Sequence, residues 1–534
     1  MDVHPEATRD GSLRSLAYVS IALLPTLIAI WWVPAFVTQD GPAHLYNAHI
    51  LAESFRGAER LNGFFSIRWQ PLPNWAGHLA LTGLVAILPP RTADRVMMTT
   101  TLLALAGTTA WLRLKVAGKQ NAVMTAILTA LIAQNVIWLF GFWSFLLGAA
   151  MFPITLGVWW LRRDNGGIGW ATTIAILIVL GYFGHLVSLI LTVFGLIVLA
   201  TFTPGACWGR RMLWTLLGIS PLAFLGPMYG SLMRQGGRLE PIWGHVKSLS
   251  SWTDQFGWVD PISLGRKVIL PFGDFKSAWL GVLTPASLLA LALAIVLATT
   301  LSKIPRERIG WVVLSAFLLI GGVCVPDTLG PPHGNYLPQR VILLGLVAVA
   351  GWVEFDGKRL LGRVAITLLV LAFSLQTLTV WDYALESDRR VGPFFRAVSK
   401  IGRDQRIGTL LINIRGRFRA NPVFHADNLL GMGTGHVLWN DYETAHYYFP
   451  VQFRAELSRP PAEELEEIAK MDDPHNASER ASRWRALLEV HHAEIDVLLV
   501  WGEDSNLDAI TALWFGPEPF YKDGPLRLFR HKAM

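Results

Sequence analysis

Apolar runs of roughly 17 to 24 residues, almost free of charge, recur through the first 381 positions of this chain, and that is the length a helix needs to cross the hydrocarbon core of a bilayer. A bilayer offers no water to the peptide groups, so such runs must be helices that satisfy their own backbone. The runs fall at about 15–37, 93–112, 121–139, 142–161, 168–184, 187–203, 212–232, 278–301, 309–325, 340–354 and 364–381. The sequence therefore predicts a polytopic α-helical membrane protein of about eleven spans over residues 1–381, followed by a soluble α/β domain over 382–534. The first run, Ser15 to Val37, is longer than a signal-peptide core and lacks a small-residue cleavage site, so it reads as a retained anchor.

Charge orients the spans. One further apolar segment, Trp75 to Leu88, stops after about fourteen residues at Pro89-Pro90 and suits a helix lying in the interface. With that segment on the outer surface, the clusters Arg113/Lys115/Lys119, Arg162/Arg163, Arg210/Arg211, Lys303/Arg306/Arg308 and Lys358/Arg359/Arg363 share a side with the N-terminus and its Arg9 and Arg14. If it spanned, every later cluster would face outward, against the positive-inside rule. The stretch around His185 must then bend through Gly181-Tyr-Phe-Gly184 to make two spans. The first loop 38–92, the loops Arg234–Ser277 and Pro326–Gln339, and the tail all fall outside. On this topology Cys207 and Cys324 lie on opposite sides of the membrane, so a bond between them is not expected. The net charge of +7 sits mostly beside apolar runs, where it sets orientation and meets anionic lipid, so nucleic acid is not an expected partner.

The tail has soluble composition, with strand-like runs Ile407 to Asn413 and Ile495 to Trp501 around helix-like sequence at Ala462 to Ala469 and Ala481 to Val490. Its aromatic stretch, Trp439 to Phe449, can stack on sugar rings or dock the tail on the membrane region, and amphipathic rings favour docking.

Chemistry concentrates just outside the first span, in Val37-Thr-Gln-Asp40-Gly-Pro-Ala-His44. A carboxylate emerging at the membrane surface is a candidate general base. Helix capping explains the same residues, because Asp40 is a good N-cap, Pro42 fits a first turn, and a capping carboxylate is a poorer base. His44 follows by one helical turn and can face the same space, whereas His49 points elsewhere. His78 is expected to face lipid headgroups. His185, at the outer end of an apolar helix, fits either a polar pathway or an interhelical hydrogen bond. In Pro326 to Arg340, His333 and Tyr336 precede Arg340, whose guanidinium at the outer headgroup level can grip a lipid phosphate or simply snorkel. Phosphate-cradling glycine loops, zinc-spaced cysteines, nucleophile elbows and zinc-protease signatures are absent from the sequence.

With Asp40 in the first loop, Pro71-Leu-Pro-Asn-Trp-Ala-Gly-His78 on the interfacial segment, Ala93-Asp-Arg95 opening the next span, and a C-terminal outer domain, the chain resembles the GT-C superfamily of membrane glycosyltransferases. That superfamily includes the protein O-mannosyltransferases and the bacterial aminoarabinose transferases. The resemblance implies a bacterial cytoplasmic (inner) membrane protein that takes a sugar from a polyprenyl-phosphate donor to a glycan, lipid or protein acceptor at the outer face, with inversion. Asp40 would be the catalytic base, and His44, His185, His333, Tyr336 and Arg340 would bind substrate. No metal and no cofactor beyond the lipid-linked donor is implied. Many relatives carry an adjacent acidic pair in the first loop, whereas Gly41 follows Asp40 here, which argues against the metal-dependent subtypes. Two other functions fit the same architecture: a non-enzymatic partner in envelope-glycan assembly or export, and a polytopic glycan polymerase.

Overall fold

A computed structural model of the chain describes residues 5–118, 121–205, 207–235, 304–325, 335–471 and 474–532, with a few positions between 272 and 295. The expected span 278–301 and His333 lie mainly or wholly outside the described residues. Among the described residues, four helices are long and apolar enough to cross a membrane: Trp143–Leu161, Trp208–Arg234, Arg306–Cys324 and Leu360–Ile401. Shorter apolar helices accompany them, including Ile168–Gly184, Leu186–Phe202 and Leu337–Trp352. Their outward faces expose large apolar side chains such as Ile21, Leu24, Ile176, Ile190, Phe224, Phe317 and Ile320, as lipid-facing helices do. The chain is a multi-pass membrane protein by this pattern.

Several expected spans are interrupted. The run 121–139 is a helix Ala122–Ala133 and a short helix Val136–Phe140, because Gln134 and Asn135 divert the backbone and Asn135 caps the second piece through the Trp138 N–H at 3.0 Å. The run 212–232 begins earlier, at Trp208, and Pro221 interrupts the backbone ladder of that long helix at Ser220-Pro221, where Ser220 keeps helical backbone, so that it divides into the segments Trp208–Ile219 and Leu222–Gln235. His185 adopts extended backbone between Ile168–Gly184 and Leu186–Phe202. Leu189 folds back there to within 3.5 Å of where a Cβ on Gly181 would stand, so the apolar stretch does make two helices. Trp75–Ile87 is a thirteen-residue helix, too short to span.

The basic clusters gather at one end of the bundle. Arg113 donates to the Ala350 carbonyl at 2.8 Å and to Thr125 Oγ1 at 3.0 Å. Arg308 pairs with Glu354 and reaches the Ala117 carbonyl at 3.3 Å. Arg211 bonds Asp164 at 2.6 Å. These guanidiniums cap helix ends whose carbonyls would otherwise be buried without donors.

The opposite end carries the first-loop helices and the C-terminal part. Leu360–Ile401 runs unbroken through position 382 into the tail, because Tyr383, Val391, Phe394, Ala397 and Ile401 continue an apolar face at helical spacing after the hydrophobic run ends. A five-stranded sheet follows, with strands in the spatial order Val437–Leu438, Arg406–Leu411, Val497–Trp501, Leu526–Arg530 and Tyr521–Asp523. β2 (Arg406–Leu411) lies parallel to β3 (Val437–Leu438) and β5 (Val497–Trp501), and β5 is antiparallel to β7 (Leu526–Arg530), which pairs with β6 (Tyr521–Asp523). Helices Ala462–Lys470 and Ala477–His491 precede β5. A second, two-stranded sheet joins the loop to the tail: β1 (Phe65–Ile67) pairs antiparallel with β4 (Val451–Phe453), Phe65 opposite Phe453.

Helix Gly41–Phe55 is buried from Gly41 to Ala52 between bundle and tail. The Tyr46 hydroxyl donates to the His436 carbonyl at 2.7 Å, and Asn47 Nδ2 donates to Asp441 at 2.9 Å. A Cβ on Gly431 would run into the Tyr46 ring, so that approach requires glycine. The aromatic stretch docks the tail here, with Tyr447 packed against Leu72 and Trp75.

Candidate active site

Asp40 ends the short loop after the Pro5–Trp32 helix and opens helix Gly41–Phe55. Its N–H donates to the Phe140 carbonyl at 2.9 Å. Its carboxylate makes no hydrogen bond to the helix backbone, so the capping role that the sequence allows is not what the side chain does. One carboxylate oxygen accepts from Gln39 Nε2 at 3.1 Å, and the other accepts from the Tyr442 hydroxyl at 3.3 Å. His425 Nε2 stands 3.8 Å from the first oxygen and stacks on Tyr442 with centroids 4.4 Å apart. Gln39 is fixed in turn, accepting the Asn421 N–H at 2.9 Å. Burial pushes the Asp40 carboxyl above its ordinary range, and the nearby His425 and His44 only partly offset that. A carboxylate so placed is a stronger base than one satisfied by backbone donors.

A second carboxylate stands beside it. Oδ1 of buried Asp94, on helix Pro90–Val116, lies 3.4 Å from where a Cβ on Gly41 would be, an ordinary contact, whereas Thr38 Oγ1 comes so close that a Cβ there would collide with it.

His44 faces this space but bonds elsewhere. Its Nδ1 meets Glu443 Oε1, and His78 Nε2 meets Glu443 Oε2 at 2.8 Å. His78 is therefore not a headgroup-facing residue: it is 2 % exposed and engages the tail, because its helix lies under the docked stretch. Burial would raise Glu443, yet the two imidazoles outweigh it and hold the carboxyl down at about 2. Burial also opposes a charged His44, and the Glu443 carboxylate outweighs that, so His44 titrates above its ordinary range. Burial, followed by the Glu443 charge, pushes Asp441 well up. His49 turns away and accepts the Gly433 N–H at 3.4 Å.

The cationic side of the site is built on helix Leu337–Trp352. The Arg340 guanidinium lies 4.9 Å from the Phe142 ring centroid and 5.1 Å from that of Phe145, and Nη1 meets His185 Nε2 at 2.8 Å. His185 Nδ1 accepts the Val187 N–H at 3.1 Å, so the interhelical bond and the helix start share one ring. Tyr336, in left-handed backbone with φ of 62°, packs at a tilt against Phe140 with centroids 4.6 Å apart, and the Arg419 guanidinium lies 5.7 Å from its ring.

Two clusters thus adjoin: Asp40 with His44, and Arg340 with His185 and Tyr336. Phe140 joins them, its carbonyl holding Asp40 and its ring stacked at 5.4 Å on Phe142. Tyr448 lies between, raised by burial first, with Arg340 pulling it down and Asp40 pushing it up. The sequence did not single out Asp94, Glu443, His425, Tyr442 or Arg419 as site residues. Their contacts span long sequence separations, 402 positions for Tyr442 and Asp40, and carry no local pattern.

No protein-family model matches the chain, and no curated protein matches it. Among solved structures, the arabinofuranosyltransferase AftD from Mycobacteria is 14 % identical with a TM-score of 0.49. That match covers all of this chain but 40 % of AftD, so the chain spans well under half of that protein's length. ArnT from Cupriavidus metallidurans, in its apo state, is 9 % identical with a TM-score of 0.53, covering 96 % of this chain and 97 % of its own. The chain shares the fold of ArnT over nearly the whole length of both.

Proposed function

We propose that the chain is an inverting glycosyltransferase that moves a sugar from a polyprenyl-phosphate donor to a hydroxyl acceptor at the extracytoplasmic face of the membrane. The observation that carries this reading is the Asp40 carboxylate, buried, unbonded to its helix backbone and adjoining the Arg340 cluster through Phe140 and Phe142. In the reaction, Asp40 takes the proton of the acceptor hydroxyl as its oxygen forms a bond to the anomeric carbon. The bond from that carbon to the phosphate oxygen breaks, and the lipid phosphate leaves with the electron pair. Arg340 receives the growing negative charge, held in place by Phe142, Phe145 and His185, and Arg419 adds a second guanidinium beside Tyr336. A phosphate paired in this way leaves without protonation, so one carboxylate suffices where glycosidases use two. Attack from the face opposite the phosphate inverts the anomeric carbon. The outward orientation is supported by the gathering of Arg113, Arg211 and Arg308 at the end of the bundle away from the tail.

The test is transfer itself. Membranes from cells that overproduce the chain and from cells that lack it are given polyprenyl-phosphate carrying a radiolabelled sugar. Label moving into a new conjugate, with matching release of polyprenyl phosphate, is expected only with the chain present. Equal label in both membranes removes the proposal.

A further inference from the structure

The proposed transfer releases one proton for each sugar moved, because the lipid phosphate leaves with one more negative charge than it carried in the donor. That proton arrives on Asp40, which is buried and must lose it before the next acceptor binds. Two imidazoles face Asp40, and they lead to different places. His44 Nδ1 meets Glu443, whose side chain is 0 % exposed and is also held by His78 Nε2 at 2.8 Å, so that route closes inside the protein. His425 Nε2 stands 3.8 Å from Asp40 Oδ1 and 4.0 Å from Oε1 of Glu466, on helix Ala462–Lys470. The Glu466 side chain is 26 % exposed, and its other oxygen accepts from Lys470 Nζ at 2.8 Å.

The surroundings of the His425 ring suit a proton carrier. One nitrogen faces both acids, so a swing of roughly 1 Å toward either brings it within hydrogen-bond reach without turning the ring over. The ring lies against Tyr442 with centroids 4.4 Å apart and edge-on to Phe424 at 4.5 Å, which holds its plane. Burial first, then the Asp40 charge, pushes the Tyr442 phenol well up, so Tyr442 keeps its proton and acts as a fixed donor to Asp40 at 3.3 Å. Asp427 also faces the ring, but it is 1 % exposed and offers no outlet. Lys470 stands on the far side of Phe424, its Nζ 5.6 Å from that ring. Imidazole is the side chain whose charge ordinarily changes near neutral pH, so it can both take and give up a proton there.

We propose that His425 is a proton-relay residue that carries the acceptor's proton from Asp40 to Glu466 and so to water. This relay presupposes the transferase reading and adds an outlet to its site. The Asp40 O–H bond breaks as His425 Nε2 takes the proton and becomes part of an imidazolium. The Nε2–H bond breaks in turn as Glu466 takes the proton, and Glu466 releases it to water, which leaves all three groups as they began. Without the relay Asp40 stays protonated longer and turnover slows, while donor binding at Arg340 is untouched.

The experiment follows transfer from the radiolabelled donor by the full chain in nanodiscs, at low buffer concentration. His425→Ala should lower kcat by about tenfold and leave the donor KM within about twofold of the wild type. His425→Gln keeps the bulk without the basicity and should lose as much. Added imidazole should restore about half of the lost kcat in His425→Ala, whereas pyrazole, of the same shape but a far weaker base, should not. Glu466→Gln, at a partly exposed position, should lower kcat by about threefold and decides the matter if the His425 variants do not fold. Glu467→Gln, whose side chain points to solvent and pairs with Arg483, should transfer as the wild type does. Wild-type kcat in a His425 variant or in Glu466→Gln would overturn the relay, as would a loss confined to KM or equal restoration by imidazole and pyrazole. A wild type that transfers no sugar would instead end the transferase reading and the relay with it.

Discussion

At Asp40 the sequence allows either a helix cap or a general base, and the side-chain geometry removes the cap. A capping aspartate spends its oxygens on backbone donors, whereas this one is held by Gln39 and Tyr442 and faced by His425. Its position was legible in the sequence because it follows the first apolar run directly, and Arg340 was legible because it opens a later run on the side with few cations. Their partners were not, since Glu443, Tyr442 and His425 reach the site only through tertiary docking. Arg340 offers a test at this scale. Lysine keeps the charge but loses the planar fork and the stacking on Phe142 and Phe145, so Arg340→Lys should raise the KM for the lipid donor by about tenfold, with a smaller effect on the acceptor. Equal donor KM in the variant and the wild type would separate Arg340 from the phosphate.

Among the elements, apolar run length located most helices, and polar insertions explain where it erred. Gln134-Asn135 splits one run because both side chains find buried partners: Gln134 accepts from Thr26 at 2.8 Å and Asn135 caps the next turn. The helix ending at Ile401 overran its expected limit because hydropathy sees the loss of an apolar run, not the continuation of an apolar face. The basic clusters, read as orientation signals, also hold helix ends together. Arg113 is nearly inaccessible at 1 % exposure and donates to Ala350, so Arg113→Met should leave buried carbonyls without a donor and cost about 1–3 kcal/mol. The check is the thermal midpoint of the purified protein in detergent, which should fall for Arg113→Met and change little for Lys115→Met.

For the whole molecule, the aromatic stretch Trp439 to Phe449 pointed to a docked tail, but the sequence did not show that the tail closes over the first loop. The pairing of Phe65 with Phe453 and the burial of helix Gly41–Phe55 beneath the tail arise from contacts between distant segments, and single-chain periodicity has no access to them. Topology is testable at exposed Glu518, using Glu518→Cys in a background with Cys207→Ser and Cys324→Ser. An impermeant maleimide should label it in spheroplasts without permeabilisation, and labelling only after permeabilisation would put the tail in the cytosol and end the outer-face reading. The account as a whole rests on Asp40 as the base. In cells lacking the chain, wild type and Asp40→Asn are returned at equal amounts, and the envelope glycoconjugates are weighed by mass spectrometry. The account predicts that wild type restores a species heavier by one sugar, while folded, membrane-inserted Asp40→Asn leaves it at least about a hundredfold depleted. Full restoration by that variant would contradict it.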